Sequence, residues 1–201
     1  MTTTFLFLCT LAALLELDTT YAFQTLISRP IIVGPIFGLC TGNAAAGLQV
    51  GIFAELLFSD STPLGGIIPP SGVIATVVPV LLYDLGIDLY FGFFFGIISA
   101  VLYSVFDALL RKTRFTWMVF LEKKITRPVK DMKGIIFTAL LLSFLMTFVF
   151  ISVAAWLSAQ IAFIIFPYLT PKILFAFKLA YVAVPWIGLA ALLSNFRFKT
   201  R

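Results

Sequence analysis

Polar and charged side chains interrupt an otherwise apolar stretch of the chain between residues 18 and 70. Where the surrounding solvent is lipid, such groups are costly, so they mark a binding site or a transport pathway. Carboxylates and amides supply hydrogen-bond acceptors and donors, which suit a polar substrate. The candidate substrate-binding residues are Asp18, Gln24, Asn43, Gln49, Glu55, Pro69 and Pro70.

Glu55 is the strongest single candidate, because it lies deep in an apolar run and far in sequence from any basic residue. The alternative is a structural carboxylate that pairs with Arg29 or accepts hydrogen bonds from the backbone. We expect Arg29 itself to be an anchor, and Glu16 to mark the membrane–water interface. For Asp18, the interfacial and binding interpretations both stay open.

The composition predicts the class of protein. Of the 201 residues, 61% are hydrophobic and 11% are charged, whereas ordinary soluble domains have roughly 25% charged residues. One globular core cannot bury so many apolar residues, so the solvent must be lipid. We therefore expect a polytopic α-helical membrane protein that forms a single membrane domain over residues 1–201.

The basic residues are clustered rather than spread. Eight of the 14 lie between Arg111 and Lys133, which is the positive-inside pattern of a cytoplasmic segment and not a nucleic-acid surface. We expect a basic cytoplasmic loop at 111–134. The chain has no histidine and only two cysteines, so no cofactor, metal site or histidine-based acid–base catalysis is expected.

The first part of the candidate region predicts an unusual helix. A proline is favoured at the first helical position, so a helix should begin near Pro30. Gly34, Gly38 and Gly42 then lie four residues apart, a spacing that lets membrane helices approach closely. As one helix, residues 30–58 would be about 43 Å long, against a hydrocarbon core of roughly 30 Å. Either a steeply tilted helix or a broken, re-entrant one with its turn near Asn43 resolves this mismatch.

The remaining apolar runs are simpler. We expect helices near 5–18, 73–83, 89–110, 135–157 and 173–194, with an outer turn at 158–172. The fold prediction is an all-α transmembrane bundle of about six membrane segments. The side on which the N-terminus lies depends on whether residues 30–58 cross once or turn back.

The order of residues in this region resembles the signature region, here residues 18–72, of the IIC subunit of mannose-family (sorbose-type) phosphotransferase system (PTS) permeases. The resemblance implies a multi-pass protein of the bacterial inner membrane that translocates a hexose. It also implies an oligomeric assembly with a IID membrane subunit and cytoplasmic IIB and IIA, which carry the phosphorylated residues. The matching residues are Leu17-Asp18, Gln24, Ser28-Arg29-Pro30, Gly34-Pro35, Gly38, Gly42, Gly47, Gly51, Glu55-Leu56, Gly65-Gly66 and Pro69-Pro70.

Two departures from the family pattern leave an alternative open. Members are usually longer, so we expect this chain to lack a terminal hairpin or part of one. Ser71-Gly72 also stands where some relatives carry Asp. The alternative function is a shortened, transport-deficient IIC-like protein with a regulatory or scaffolding role. An unrelated intramembrane enzyme is disfavoured, because no nucleophile–base pair or phosphate-binding loop is present.

Overall fold

The computed structural model describes residues 2–20, 24–59, 68–124 and 132–198. These residues form α-helices and one short 3-10 helix, and no strand occurs among them, which confirms the predicted all-α fold. The elements are α1 (Thr2–Thr20), α2 (Pro30–Cys40), α3 (Ala44–Phe58), α4 (Gly72–Asp84), α5 (Leu89–Lys124), α6 (Met132–Ile165), the 3-10 helix (Phe166–Tyr168) and α7 (Pro171–Phe198).

Long and short helices divide the fold. Three stretches within the described residues are long and apolar enough to cross a bilayer: Leu89–Thr113, Ile136–Tyr168 and Pro171–Ser194. By contrast, α2, α3 and α4 have 11, 15 and 13 residues, fewer than the roughly 20 that a span requires. The protein is therefore a helical membrane protein in which residues 30–84 form three short helices.

Helices α2 and α3 form an antiparallel hairpin, so of the two predicted alternatives the broken helix with its turn near Asn43 is the one observed. The helix α2 begins at Pro30, and the turn contains Gly42 with a positive φ of 75°. A Cβ atom added at Gly34 would collide with the carbonyl oxygen of Gly47 and lie 2.9 Å from the Gly51 Cα atom. The glycines thus allow the two backbones to touch, as their spacing predicts.

Helix α4 is the centre of the bundle. Its residues 73–82 are all buried, and it packs against α1, α2, α3, α5 and α6. A helix that is apolar on every side lies either in a protein core or in lipid, and α4 lies in the core. Gly96 on α5 packs tightly against Ala75 and Pro79 on α4, so α4 and α5 form a second close antiparallel pair.

Helix α7 is held to the bundle by aromatic side chains. Tyr181 is fully buried, and its ring lies 4.6–5.2 Å from the rings of Phe53 on α3 and of Tyr90 and Phe93 on α5. The end of α3 that reaches the candidate site is therefore fixed from both sides, by α2 and by α7.

The predicted basic loop at 111–134 is wrong for most of its length. Helix α5 continues without a break to Lys124, and α6 begins at Met132. Residues 125–131 lie outside the described part of the chain. The reason is that Lys, Arg, Leu, Met and Glu are good helix formers, and no glycine or proline interrupts the sequence between Gly96 and Pro128.

The predicted outer turn at 158–172 is also too long. Helix α6 extends to Ile165, and only the 3-10 helix and two further residues separate it from α7. Pro167 and Pro171 end one helix and begin the next, as prolines do at helix boundaries. The apolar residues 161–165 continue the helix because no proline or glycine before Pro167 stops it.

Candidate functional site

A cavity of about 530 Å³ lies where five segments of the chain meet. These are the end of α1, the residues that lead into α2, the end of α3, the residues before α4, and the middle of α5. The volume is within the roughly 300–1,000 Å³ that is typical of small-molecule sites. The polar lining residues are Glu16, Asp18, Thr19, Gln24, Ser28, Arg29, Glu55, Ser71, Tyr103, Asp107 and Arg111.

Asp18 shapes the wall formed by residues 24–28. Its Oδ1 atom accepts hydrogen bonds from the Thr25 backbone N–H (2.8 Å) and hydroxyl (2.9 Å), and its Oδ2 atom accepts one from the Ser28 N–H (3.3 Å). Within this turn Gln24 and Leu26 have positive φ values of 50° and 67°, which side chains other than glycine rarely adopt. The carboxylate therefore stabilises a strained backbone at the edge of the cavity.

Glu55 joins α3 to the start of α2. Its Oε1 atom lies 3.0 Å from Arg29 Nη1, and its Oε2 atom lies 3.5 Å from the Ile31 backbone N. A negative charge is favourable at a helix N-terminus. The Arg29 side chain is 54% exposed, and such pairs contribute about 0–1 kcal/mol to stability. The pair therefore fixes the position of the carboxylate more than it stabilises the fold.

Glu16 and Ser71 connect α1 to the start of α4. The Ser71 hydroxyl donates a 2.6 Å hydrogen bond to Glu16 Oε2 and accepts one from the Ile74 backbone N–H at 3.2 Å. Ser71 is thus both the N-cap of α4 and the partner of a carboxyl group. Glu16 is only 6% exposed, so it lies inside the protein rather than at the interface that the sequence predicts.

Helix α5 brings a further charged pair to the cavity. Asp107 is 4% exposed, and its Oδ2 atom lies 2.7 Å from Arg111 Nε, a pairing that the spacing of four residues along a helix allows. One turn earlier, the Tyr103 hydroxyl lies 3.0 Å from Thr147 Oγ1 on α6. The contact between Tyr103 and Thr147 joins the α5 wall to α6.

The structure brings five of the seven predicted binding residues to one place. The five that line the cavity are Asp18, Gln24, Glu55, Pro69 and Pro70. They come from four different segments, and the two prolines form the rigid end of the chain that enters α4. For Glu55, the structure also contains the pairing with Arg29 that was the alternative interpretation.

The other two predicted residues lie elsewhere. Asn43 is in the turn between α2 and α3, where its side-chain N–H donates to the Thr41 carbonyl oxygen at 3.1 Å. It lines a more open depression together with Asp88 and Phe166. Gln49 is exposed on α3 and does not line the cavity. Their assignment as binding residues therefore finds no support in the position of the cavity.

Several lining residues were not predicted as part of a site. Glu16, Tyr103, Asp107 and Arg111 approach the cavity only because α1 and α5 pack around α4. The sequence did carry one signal, since Glu16 and Asp107 are carboxylates within apolar segments and such groups usually have a role. The sequence did not show that these two carboxylates lie close to residues 18–72 in space.

Comparison with known proteins gives the family. The sequence model described as "PTS system sorbose-specific iic component" matches residues 2–199. A solved structure titled "Structure of membrane protein" has a TM-score of 0.79, covers 98% of this chain and 80% of its own, and is 15% identical. At that identity the likeness shows the fold alone.

Two proteins of Escherichia coli (strain K12) are similar to part of this chain. "Putative N-acetylgalactosamine permease IIC component 2" is 37% identical over 54 residues, which are 27% of this chain and 41% of that protein. "N-acetylgalactosamine permease IIC component 1" is 38% identical over 61 residues, 30% of this chain and 23% of that protein. The matched segments thus span less than half of either relative. The family model, by contrast, matches nearly the whole chain. On the strength of that match, this chain belongs to the sorbose-specific IIC family of the phosphotransferase system.

Proposed function

We propose that this chain is the membrane permease subunit through which a hexose crosses the bacterial inner membrane, and that the sugar binds in the cavity at the ends of α1 and α3. The observation that carries the proposal is the convergence of Asp18, Gln24 and Glu55 on one cavity of about 530 Å³. These three residues are also part of the signature pattern of the family.

The chemistry of the lining suits a sugar. Carboxylates such as Glu55 accept hydrogen bonds from hydroxyl groups, and the Arg29 guanidinium donates them, so together they can fix the orientation of a ring. Phe58, Pro69 and Pro70 add apolar surface to the same lining, which suits the C–H faces of a pyranose. Small-molecule sites generally combine apolar walls with a few polar groups of this kind.

The sugar is phosphorylated by proteins other than this chain. The two cysteines, Cys9 and Cys40, are absent from the cavity lining among the described residues, and the chain has no histidine. In line with what the family resemblance implies, we propose that cytoplasmic IIB, recharged by IIA, supplies the phosphoryl group, and that a IID subunit completes the membrane assembly. The cavity lies beside Asp107 and Arg111, near the basic part of α5 that the positive-inside rule places on the cytoplasmic side.

N-acetylgalactosamine is the first sugar to test, because the two E. coli relatives are named as permeases for it. The experiment measures uptake of the radiolabelled sugar by cells that express the full chain with its IID, IIB and IIA partners. Glu55→Gln keeps the size of the side chain and removes its charge. We expect it to lower uptake at least about tenfold, because a charged hydrogen-bond acceptor contributes about 1.5–3 kcal/mol.

Gln49→Ala is the matched control, since Gln49 lies on the same helix but outside the cavity. It should leave uptake unchanged at equal amounts of chain in the membrane. Full uptake by the Glu55→Gln variant would remove Glu55 from the site. If the unaltered chain assembles with IID but takes up no hexose, the regulatory or scaffolding alternative is favoured.

A further inference from the structure

We infer that the cavity repels anionic ligands, so that phosphorylation of a bound sugar itself drives the product out. The ligand class in this inference rests on the function proposed above. The charge of the cavity does not, and it can be measured without any sugar.

The lining contains more acidic than basic side chains. Arg29 is paired with Glu55 at 3.0 Å and Arg111 with Asp107 at 2.7 Å, so each guanidinium has a carboxylate beside it. Asp18 is left over. Its three hydrogen bonds come from neutral groups, and no basic side chain of the described residues lies within ion-pair distance of it.

Glu16 is a fourth carboxyl group in the same lining, held by a neutral hydroxyl. If Glu16 carries a proton, three carboxylates face two guanidinium groups and the formal charge of the lining is −1. If it is ionised, the formal charge is −2. The excess is negative in both cases.

Helix dipoles do not reverse this excess. The N-termini of α2 and α4 face the cavity with their partial positive charges, but so do the C-terminal ends of α1 and α3 with their partial negative charges. Each helix end corresponds to about half an elementary charge, and two of each sign cancel. The charged side chains therefore decide the sign of the potential.

Phosphorylation changes the charge of the ligand from zero to about −2 at neutral pH. The sugar hydroxyl oxygen forms the new P–O bond, the bond between phosphorus and the phosphorylated IIB protein breaks, and the hydroxyl proton is released. The same carboxylates that accept hydrogen bonds from a neutral sugar then face a dianion. For charges about 8 Å apart in a partly hydrated site, the repulsion lowers affinity roughly 30-fold.

The electrostatic potential in the cavity can be measured from the reactivity of a cysteine introduced into the cavity wall. Leu26 lines the cavity and is exposed, and Cys40 is the exposed native cysteine, whereas Cys9 is buried. In the full chain carrying Leu26→Cys and Cys40→Ser, we compare the rates of modification by cationic and anionic methanethiosulfonate reagents. Rates are normalised to those with a free small thiol. We expect the cationic reagent to react about tenfold faster.

Two neutralising variants test the origin of that preference. Asp107→Asn removes a charge from the α5 wall of the same cavity and should reduce the preference for the cationic reagent severalfold. Asp84→Asn removes the same charge at the far, exposed end of α4 and should leave it unchanged. Equal rates for both reagents, or an anionic preference, would overturn the inference. So would an equal effect of the two variants.

A competition experiment tests whether this potential weakens binding of the phosphorylated sugar. Unlabelled sugars compete with radiolabelled N-acetylgalactosamine for binding to the full chain. Galactose 6-phosphate should compete roughly 30-fold more weakly than galactose, and galactosamine, a cation, should compete at least as well. Raising the salt concentration should reduce the difference in affinity between galactose and galactose 6-phosphate, because salt screens the repulsion. Equally tight competition by galactose 6-phosphate refutes the inference. Absence of any sugar binding refutes the proposed function instead, while the reagent rates still decide the sign of the cavity.

Discussion

Replacing Gly47 with alanine tests whether direct backbone contact between α2 and α3 holds the cavity in shape. A Cβ atom at this position would collide with the carbonyl oxygen of Gly34 and lie 2.7 Å from the Cα atom of Gly38. Both obstacles are backbone atoms, which cannot rotate away as a side chain can. The two helices must therefore move apart to admit one methyl group.

The size of the effect follows from these distances. The 2.7 Å contact is 0.7 Å shorter than the 3.4 Å at which ordinary contacts begin, so the hairpin has to open by at least that amount. Overpacking of this kind costs about 1–3 kcal/mol. The same displacement lengthens the 3.0 Å contact between Arg29 and Glu55, which joins the two helices at the cavity.

Gly134→Ala is the matched control. Gly134 is helical, and a Cβ atom there would have no heavy atom within 4 Å. Both substitutions gain the helix propensity of alanine over glycine, about 1 kcal/mol. The difference in the free energy of unfolding between the two variants therefore isolates the clash.

The assay is reversible denaturant unfolding of the full chain in detergent micelles, followed by tryptophan fluorescence, with sugar uptake measured in parallel. We expect Gly47→Ala to be about 1–3 kcal/mol less stable than Gly134→Ala and to transport poorly. If the two variants unfold at the same denaturant concentration, close backbone contact does not hold the hairpin.

Three further substitutions test other contacts of the site. Ser71→Ala removes the N-cap of α4 and a buried hydrogen bond to a carboxyl group, and should lower the free energy of unfolding by about 1–3 kcal/mol; unchanged stability would contradict this double role. Asp18→Ala removes three hydrogen bonds from residues 24–28, so their amide hydrogen exchange should accelerate about tenfold or more, and unaltered exchange would show that the turn forms without it. A double-mutant cycle of Arg29→Met and Glu55→Gln should give a coupling energy below about 1 kcal/mol, because the Arg29 side chain is more than half exposed. A value of several kcal/mol would show that the pair is desolvated.

Local rules in the sequence predict the N-terminal hairpin well. Pro30 starts a helix because its ring fixes φ and its missing N–H is not needed there. The turn at Asn43 follows from Gly42, whose positive φ costs little without a Cβ atom. Glycines four residues apart put their close contacts on one face. Each of these effects acts within a few residues, so it can be read from the chain itself.

Hydropathy predicts the wrong C-terminal end for helix α5, and the reason is physical. It registers Arg111 and Lys112 as the end of an apolar run, but the energy of a helix depends on backbone propensity as well as on the solvent. Long basic side chains can direct their charges to water while the helix continues. The break in hydropathy therefore marks the membrane boundary, and the helix continues to Lys124.

The composition of the cavity depends on distances that the sequence does not contain. Asn43 is close to Glu55 in sequence, yet 12 residues of helix place it about 18 Å away along the axis of α3. Asp107 is far from Glu16 in sequence, yet both line the same cavity because α1 and α5 both pack on α4. Sequence proximity along one helix is thus a poor guide to a site assembled from five segments.

The length of α5 has a mechanical consequence. The helix is one rod of 36 residues, or about 54 Å, and Tyr103, Asp107 and Arg111 form part of the cavity wall near its middle. A hydrogen-bonded helix resists bending, so the parts of α5 on either side of the cavity tilt together as one rigid rod. A tilt of about 5° shifts Lys124, roughly 20 Å beyond Arg111, by nearly 2 Å. A force on that outer part of α5 is therefore transmitted to the cavity wall that these three residues form.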